Sequence, residues 1–169
     1  MNRKVTDPDD LLVYKLQVAL RMEQEIALIL PKARREAHNP DLADALGRHL
    51  DETREHARRL ERGLDLLGEH AGRPASPAID GLRLQHESFA GEAAEDVTPD
   101  VLDLELMASA VAIEHNEIAA YESLIALADA NDQPQIGAIL RENLADEQRM
   151  LTEGRRMAQI IGTAATRAR

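Results

Sequence analysis

Cysteine is absent from the 169 residues. That excludes disulfides, iron–sulfur clusters and thiolate zinc sites, so any metal here would have to be held by carboxylate and imidazole. Tryptophan is missing too, and one Phe and two Tyr leave little aromatic surface on which bases could stack. A formal net charge of -11 argues against a phosphate-binding face. Glycine and proline are few, at nine and seven, β-branched runs are scarce, and Ala, Leu, Glu and Arg are abundant, which favours helix over strand. No apolar run approaches bilayer length, and Met1-Asn2-Arg3-Lys4-Val5 leads into Asp7-Pro8-Asp9-Asp10 without an apolar leader core. The expectation is a soluble, cytoplasmic protein with neither a membrane nor a nucleic-acid partner.

What is present is enough apolar material, 44% of the chain, for one sizeable core, and the default is a single domain over residues 1–169. Thr6-Asp7-Pro8 opens a helical pattern from about Asp9 to Pro31, with Lys32 to Ala37 as a frayed continuation beyond a proline that should kink or end it. Asn39-Pro40-Asp41 caps a second segment that Gly68 stops, so it runs from about Pro40 to Leu67. Gly72, Pro74 and Pro77 mark a loop, and a short helix follows from about Ile79 to Ala94. Thr98-Pro99-Asp100 opens a third long segment to about Ala130, and Asn131-Asp132-Gln133-Pro134 separates it from a fourth, Gln135 to about Ile161. Two hairpins joined by a long crossover with a short helix imply an all-α antiparallel four-helix bundle.

Spacings of three and four trace the apolar seam of each long segment. The first seam is Leu12, Leu16, Ala19, Glu23, Ile26 and Leu30, with one charge. The second is Leu46, Leu50, Thr53, Ala57, Leu60, Leu64 and Leu67, beside a stripe of Leu42, Ala45, His49, Glu52 and His56. The third is Leu104, Met107, Val111, Glu114, Ile118, Tyr121, Ile125 and Ala128. The fourth is Leu140, Leu144, Glu147, Leu151, Gly154 and Ala158. The halves read as a diverged repeat in which Glu23 corresponds to Glu114 and Glu52 to Glu147, all at one level of the bundle.

An ionised carboxylate in an apolar interior must be neutralised, paired or bound to metal, and four brought together repel one another unless divalent ions hold them. A dinuclear centre of Glu23, Glu52, Glu114, Glu117 and Glu147, with His56 and His49, answers that requirement. The alternative is that each Glu lies at a seam edge and reaches water, and His49 and His56 have the same two options. His115 is either a neighbour of the centre or exposed. Tyr14 and Tyr121 are explained as core aromatics, with the Tyr121 hydroxyl able to bond a ligating carboxylate. Glu25 and Glu142 read as solvated. Exposed apolar positions such as Leu11, Val18 and Leu106 suggest a surface for association.

Met22-Glu23 with Leu30-Pro31, His49-x-x-Glu52-Thr53, Arg59-Leu60-Glu61, Leu67-Gly68 and above all Glu114-His115-x-Glu117-Ile118-Ala119-x-Tyr121 resemble the YciF-like family of bacterial ferritin-like proteins, over nearly the whole chain. The resemblance implies a ferritin-like four-helix bundle, a link to bacterial stress responses and a homodimer, and it implies no established reaction. Relatives commonly carry Gln where Glu25 and His56 stand. The wider superfamily usually has a second histidine on the last helix, where this chain has Met150.

Two functions follow. One is a dimetal carboxylate protein, most simply di-iron, binding Fe(II) or Mn(II), with Zn also compatible, and open as to whether it oxidises Fe(II) with oxygen or peroxide. The other is a non-catalytic helical bundle serving as a stress-induced interaction module. A DNA-protecting mini-ferritin is disfavoured by the negative charge and the lack of a lysine-rich tail, since Arg155, Arg156, Arg167 and Arg169 are too few.

Overall fold

The computed structural model describes residues 4–72, 74–92 and 97–167. The helices are α1 (Pro8–Glu36), α2 (Pro40–Leu66), α3 (Pro77–Glu92), α4 (Pro99–Ala130) and α5 (Pro134–Arg167), and no strand occurs among the described residues. The chain start at Met1 to Arg3, the expected helix end at Ala94 and Arg169 lie outside that set.

Local chemistry sets the helix ends. The Asp7 side chain accepts the Asp10 N–H at 2.8 Å and Pro8 fills the first turn of α1. Asn39 Oδ1 accepts the N–H groups of Asp41 and Leu42, at 2.9 and 3.2 Å, at the start of α2. At the other end Gly68 takes φ +70, and the N–H groups of Gly68 and Glu69 close on the carbonyls of Asp65 and Leu64. The break between α4 and α5 turns at Asp132, with φ 51.

Pro31 does not end α1. The helix continues to Glu36, and the Ala37 N–H still reaches the Ala33 carbonyl at 3.0 Å. A proline removes one backbone bond, and packing of Ala33 against the core holds the residues beyond it. Similarly, α5 runs past the Ile161 expected as its end, because Ile161 is itself buried.

Each hairpin packs along its length, α1 on α2 and α4 on α5. The hairpins meet through α1 on α4 and α2 on α5, and α3 lies across α4 and α1. The α1 stripe is as its spacing predicts, with Leu12, Leu16, Ala19, Glu23, Ile26 and Leu30 all buried. The α2 stripe is rotated from the expected seam: Leu50, Ala57 and Leu67 are only partly buried, whereas His49, Thr53 and His56 lie inside. In α4 the inner line takes Glu117 and Leu124 as well as Glu114 and Tyr121, leaving Val111 and Ile118 half-buried. Tyr14 is not a core residue but 40% exposed, and Leu106 is core rather than surface.

Buried Asp103 of α4 accepts the backbone N–H groups of His38 and Asn39, each at 2.8 Å, and so fastens the α1–α2 turn to the second hairpin. Among the described residues no helix is long and apolar enough to cross a membrane.

Candidate metal centre

Two groups of buried ligand-type side chains face each other midway along the helices. Glu23 of α1, His56 of α2 and Glu147 of α5 form one, and His49 of α2 with Glu114 and Glu117 of α4 form the other. Within each group every residue offers an oxygen or nitrogen within 4.8 Å of the others. A repeat of seven on α2 puts His49 and His56 on one face two turns apart, and three residues put Glu114 and Glu117 on one face of α4.

These groups lie close together without satisfying one another. His56 Nδ1 stands 2.8 Å from Glu147 Oε1 and 3.7 Å from Glu23 Oε2, and His49 Nε2 stands 3.5 Å from Glu114 Oε1. Yet His56 Nδ1, Glu23 Oε2, Glu114 Oε2 and both oxygens of Glu117 and of Glu147 are buried without a hydrogen-bond partner. The 2.8 Å contact is thus near in distance but out of hydrogen-bond alignment.

The electrostatics express the same conflict. Burial pushes the Glu114 carboxyl up to about 9, with Glu147 and Glu23 adding to it. Burial likewise raises Glu117 well above the carboxylate range, reinforced by Glu147, Glu23 and Glu114. Glu23 is raised by burial against the opposing pull of His56. Burial acts to lower His56, but Glu147 and Glu23 beside it win and carry it up to about 10. Burial holds His49 below its ordinary value.

Around the centre the polar partners are specific. The His56 Nε2 lies 3.3 Å from Asp146 Oδ2, which Arg59 also reaches at 2.8 Å, while Arg149 holds Asp146 Oδ1 at 2.8 Å. These neighbours outweigh partial burial and keep Asp146 ionised down to about 2. The Tyr121 hydroxyl donates to Glu23 Oε1 and accepts from Asn143 Nδ2 at 3.0 Å. Tyr121 is therefore buried as expected, but with its hydroxyl fully engaged. Asp146 lies off the apolar spacing that exposed the glutamates; Asn143 lies on it, three residues after Leu140 and four before Glu147, but it is uncharged and the neighbouring Leu144 takes its place in the apolar seam.

Of the seven expected ligands, the two groups bring together Glu23, His49, His56, Glu114, Glu117 and Glu147. Glu52 belongs to neither. It sits at the edge of α2, where Oε1 accepts from Arg149 at 2.9 Å, although Oε2 is buried without a partner. Glu52 falls about 60° from His49 and about 40° from His56 around α2, on the side away from Thr53, which leaves it at the edge of the buried face. His115 is exposed beside Arg155, and Glu25 and Glu142 pair with Arg21 and Arg59. Among the described residues no arginine or lysine pairs with Glu23, Glu114, Glu117 or Glu147.

Fold and site together define a class: an all-helical protein with a buried cluster of carboxylates and imidazoles between its long helices. The chain belongs to the DUF892 family, described as a domain of unknown function, whose model matches residues 7–167; this is the YciF-type family, of ferritin-like fold. It is 28% identical over 149 residues to protein YciF of Escherichia coli K12, covering 88% of this chain and 87% of that one. Among solved structures, YcfI of Rhodopseudomonas palustris superposes with a TM-score of 0.86 at 35% identity, over 92% of this chain and 97% of that one. The Escherichia coli stress protein YciF superposes at 0.84 and 25% identity, over 94% and 98%. A protein of Xanthomonas campestris at 23% identity and TM-score 0.74 shares the fold, over 94% and 95%.

Proposed function

We propose that this chain is a ferritin-like four-helix protein whose two buried groups hold a pair of divalent cations, most simply iron, with manganese and zinc compatible with the same donors. The observation that carries this reading is the number of fully buried carboxylate oxygens without partners on Glu23, Glu114, Glu117 and Glu147. An arrangement of four carboxylates and two imidazoles is costly in an apolar interior, and two dications would cancel the charge of the four carboxylates. The residues present fit such ions. The nitrogen donors come from α2 and the oxygen donors from α1, α4 and α5, and Glu147 lies close enough to Glu114 to raise the pKa of Glu114.

Iron bound there would supply the electrons for reduction of oxygen or peroxide. The chain itself supplies the geometry. Asp146 binds the outer nitrogen of His56 and so leaves Nδ1 to face Glu23 and Glu147. Tyr121 fixes one oxygen of Glu23 and leaves the other free to ligate. Burial of every donor excludes water from the centre.

The experiment is metal analysis of protein purified without chelator, followed by Mn(II) titration of the parent and of Glu114→Gln. The parent should carry up to two ions, and the variant should keep its helicity while binding at least about tenfold more weakly. A variant that binds Mn(II) as tightly as the parent removes this reading in favour of a metal-free interaction protein.

A further inference from the structure

The centre has a second boundary that the metal reading does not use. Between α1, α4 and the overlying α3 lies a cavity of about 210 Å³, walled by Ile26, Ile29, Leu46, Leu106, Ala110 and Ile113. It is larger than the roughly 150 Å³ apolar cavity that suffices to admit benzene. His49, a member of the centre, forms part of the same wall. The cavity therefore reaches from the surface at α3 to the His49 group.

Three features narrow what it accepts. The walls are aliphatic, so they favour a flexible hydrocarbon over a group that needs stacking or several hydrogen bonds. Charges near the mouth are opposed, with Lys32 and His86 beside Glu36 and Arg83 beside Glu87, and the inner end backs onto Glu114 through His49. An anion is repelled there, and a cation gains nothing it would not lose in desolvation. The two histidines also differ. The outer nitrogen of His56 has Asp146, but His49, 5% exposed with Nε2 towards Glu114, has a buried Nδ1 with no partner. His86 on the α3 side of the same cavity also has a buried Nδ1 without a hydrogen-bond partner, but it stands 3.8 Å from Glu105 Oε1, whereas His49 lies at the end next to the centre. A buried polar nitrogen such as that of His49 calls for one hydrogen-bonding atom.

We propose that this cavity binds an uncharged aliphatic molecule ending in a single oxygen, an alcohol or alkyl hydroperoxide, with its chain between α1 and α4 and its oxygen at His49. This names the class of co-substrate for the centre and rests on the metal reading for its consequence in catalysis, though not for the binding itself.

The test titrates 1-hexanol into full-length, chelator-treated protein labelled on methyl groups and on histidine nitrogen. Saturable shifts should concentrate at Ile29, Leu106 and Ile113 and at the His49 ring, with His56 unmoved. Hexanoate should bind about tenfold more weakly or not at all. Ala110→Phe and Ile29→Phe, which fill the cavity from opposite walls, should each weaken hexanol about tenfold. Two variants guard against one that fails to fold. No saturable binding, shifts centred on the His86 ring or on the exposed Leu66, Leu84 and Ile160, or unchanged affinity in both folded variants would overturn the proposal, and hexanoate binding as tightly as hexanol would overturn its uncharged character. Hexanol binding without Mn(II) uptake would sink the metal reading and keep the cavity, and Mn(II) uptake without hexanol binding would do the reverse. With both bound, paramagnetic broadening of the hexanol signals is expected, and its absence would break the link between cavity and centre.

Discussion

At the scale of single residues, the centre depends on how few alternatives its side chains have. Glu117 is fully buried with neither oxygen bonded, and it shares an α4 face with Glu114, so the two cannot both ionise without a counter-charge. Tyr121 holds a different position. Its hydroxyl bonds Glu23 and Asn143 but belongs to no ligand group. Tyr121→Phe should therefore retain metal while losing about 1–2 kcal/mol of stability, because Asn143 Nδ2 keeps only a 3.5 Å contact to the His56 carbonyl. Denaturant unfolding together with metal analysis checks this, and complete loss of metal would place the hydroxyl in the binding machinery.

At the scale of helices, the donors are only as well placed as the α1–α2 hairpin is on α4 and α5. Asp103 makes one of those attachments, since its two oxygens take the N–H groups of His38 and Asn39 in the connecting turn. Asp103→Ala leaves both donors without that partner and should cost about 1–3 kcal/mol, measured by denaturant unfolding. Because Asp103 is far along α4 from Glu114, metal stoichiometry should not change, and a variant as stable as the parent would show the attachment to be dispensable. The α3 helix packs on α4 and α1, in keeping with its position over the cavity rather than within the core.

At the scale of the whole molecule, the buried charges govern how stability responds to pH. Glu23, Glu114 and Glu117 have raised pKa values, Glu114 near 9, and His56 is raised to about 10. The native, metal-free protein thus holds more protons than the unfolded chain between about pH 6.5 and 9, and stability must fall as pH rises across that window. His49, whose pKa is lowered, acts the other way only below its ordinary value. Thermal unfolding of metal-free protein should show a lower Tm at pH 8.5 than at pH 6.5. Adding Mn(II) should raise Tm, and by more at pH 8.5, because ligation competes with protons. A metal-free Tm that rises with pH would contradict the buried carboxylates. We also expect a homodimer, which would cover some of the exposed apolar side chains Leu28, Leu66, Leu84 and Ile160. Light scattering at the mass of a monomer, or of 12 or 24 subunits, would remove that expectation.

The sequence by itself determined the helices and most of the candidate ligands. Caps such as Asp7-Pro8 and Asn39-Pro40 and the stop at Gly68 act through neighbouring backbone groups, so they are legible without knowledge of the fold. Glu23 was legible because the polar remainder of α1 fixes the phase of its apolar stripe. The phase of α2 was not, since His49 and His56 count as polar in any periodicity, and only packing against α1 and α5 turned them inward and left Glu52 at the edge of the same face. On α4 the apolar residues extend around much of the helix, so spacing placed Ile118 in the seam and could not select Glu117 as the inner position. Tertiary contact alone decided that Asp146 supports His56, that Asn143 meets Tyr121, and that a cavity reaches His49. Each joins residues on different helices, and a helix rotation of a few tens of degrees, which hydrophobic spacing does not resolve, separates a ligand from a solvated side chain.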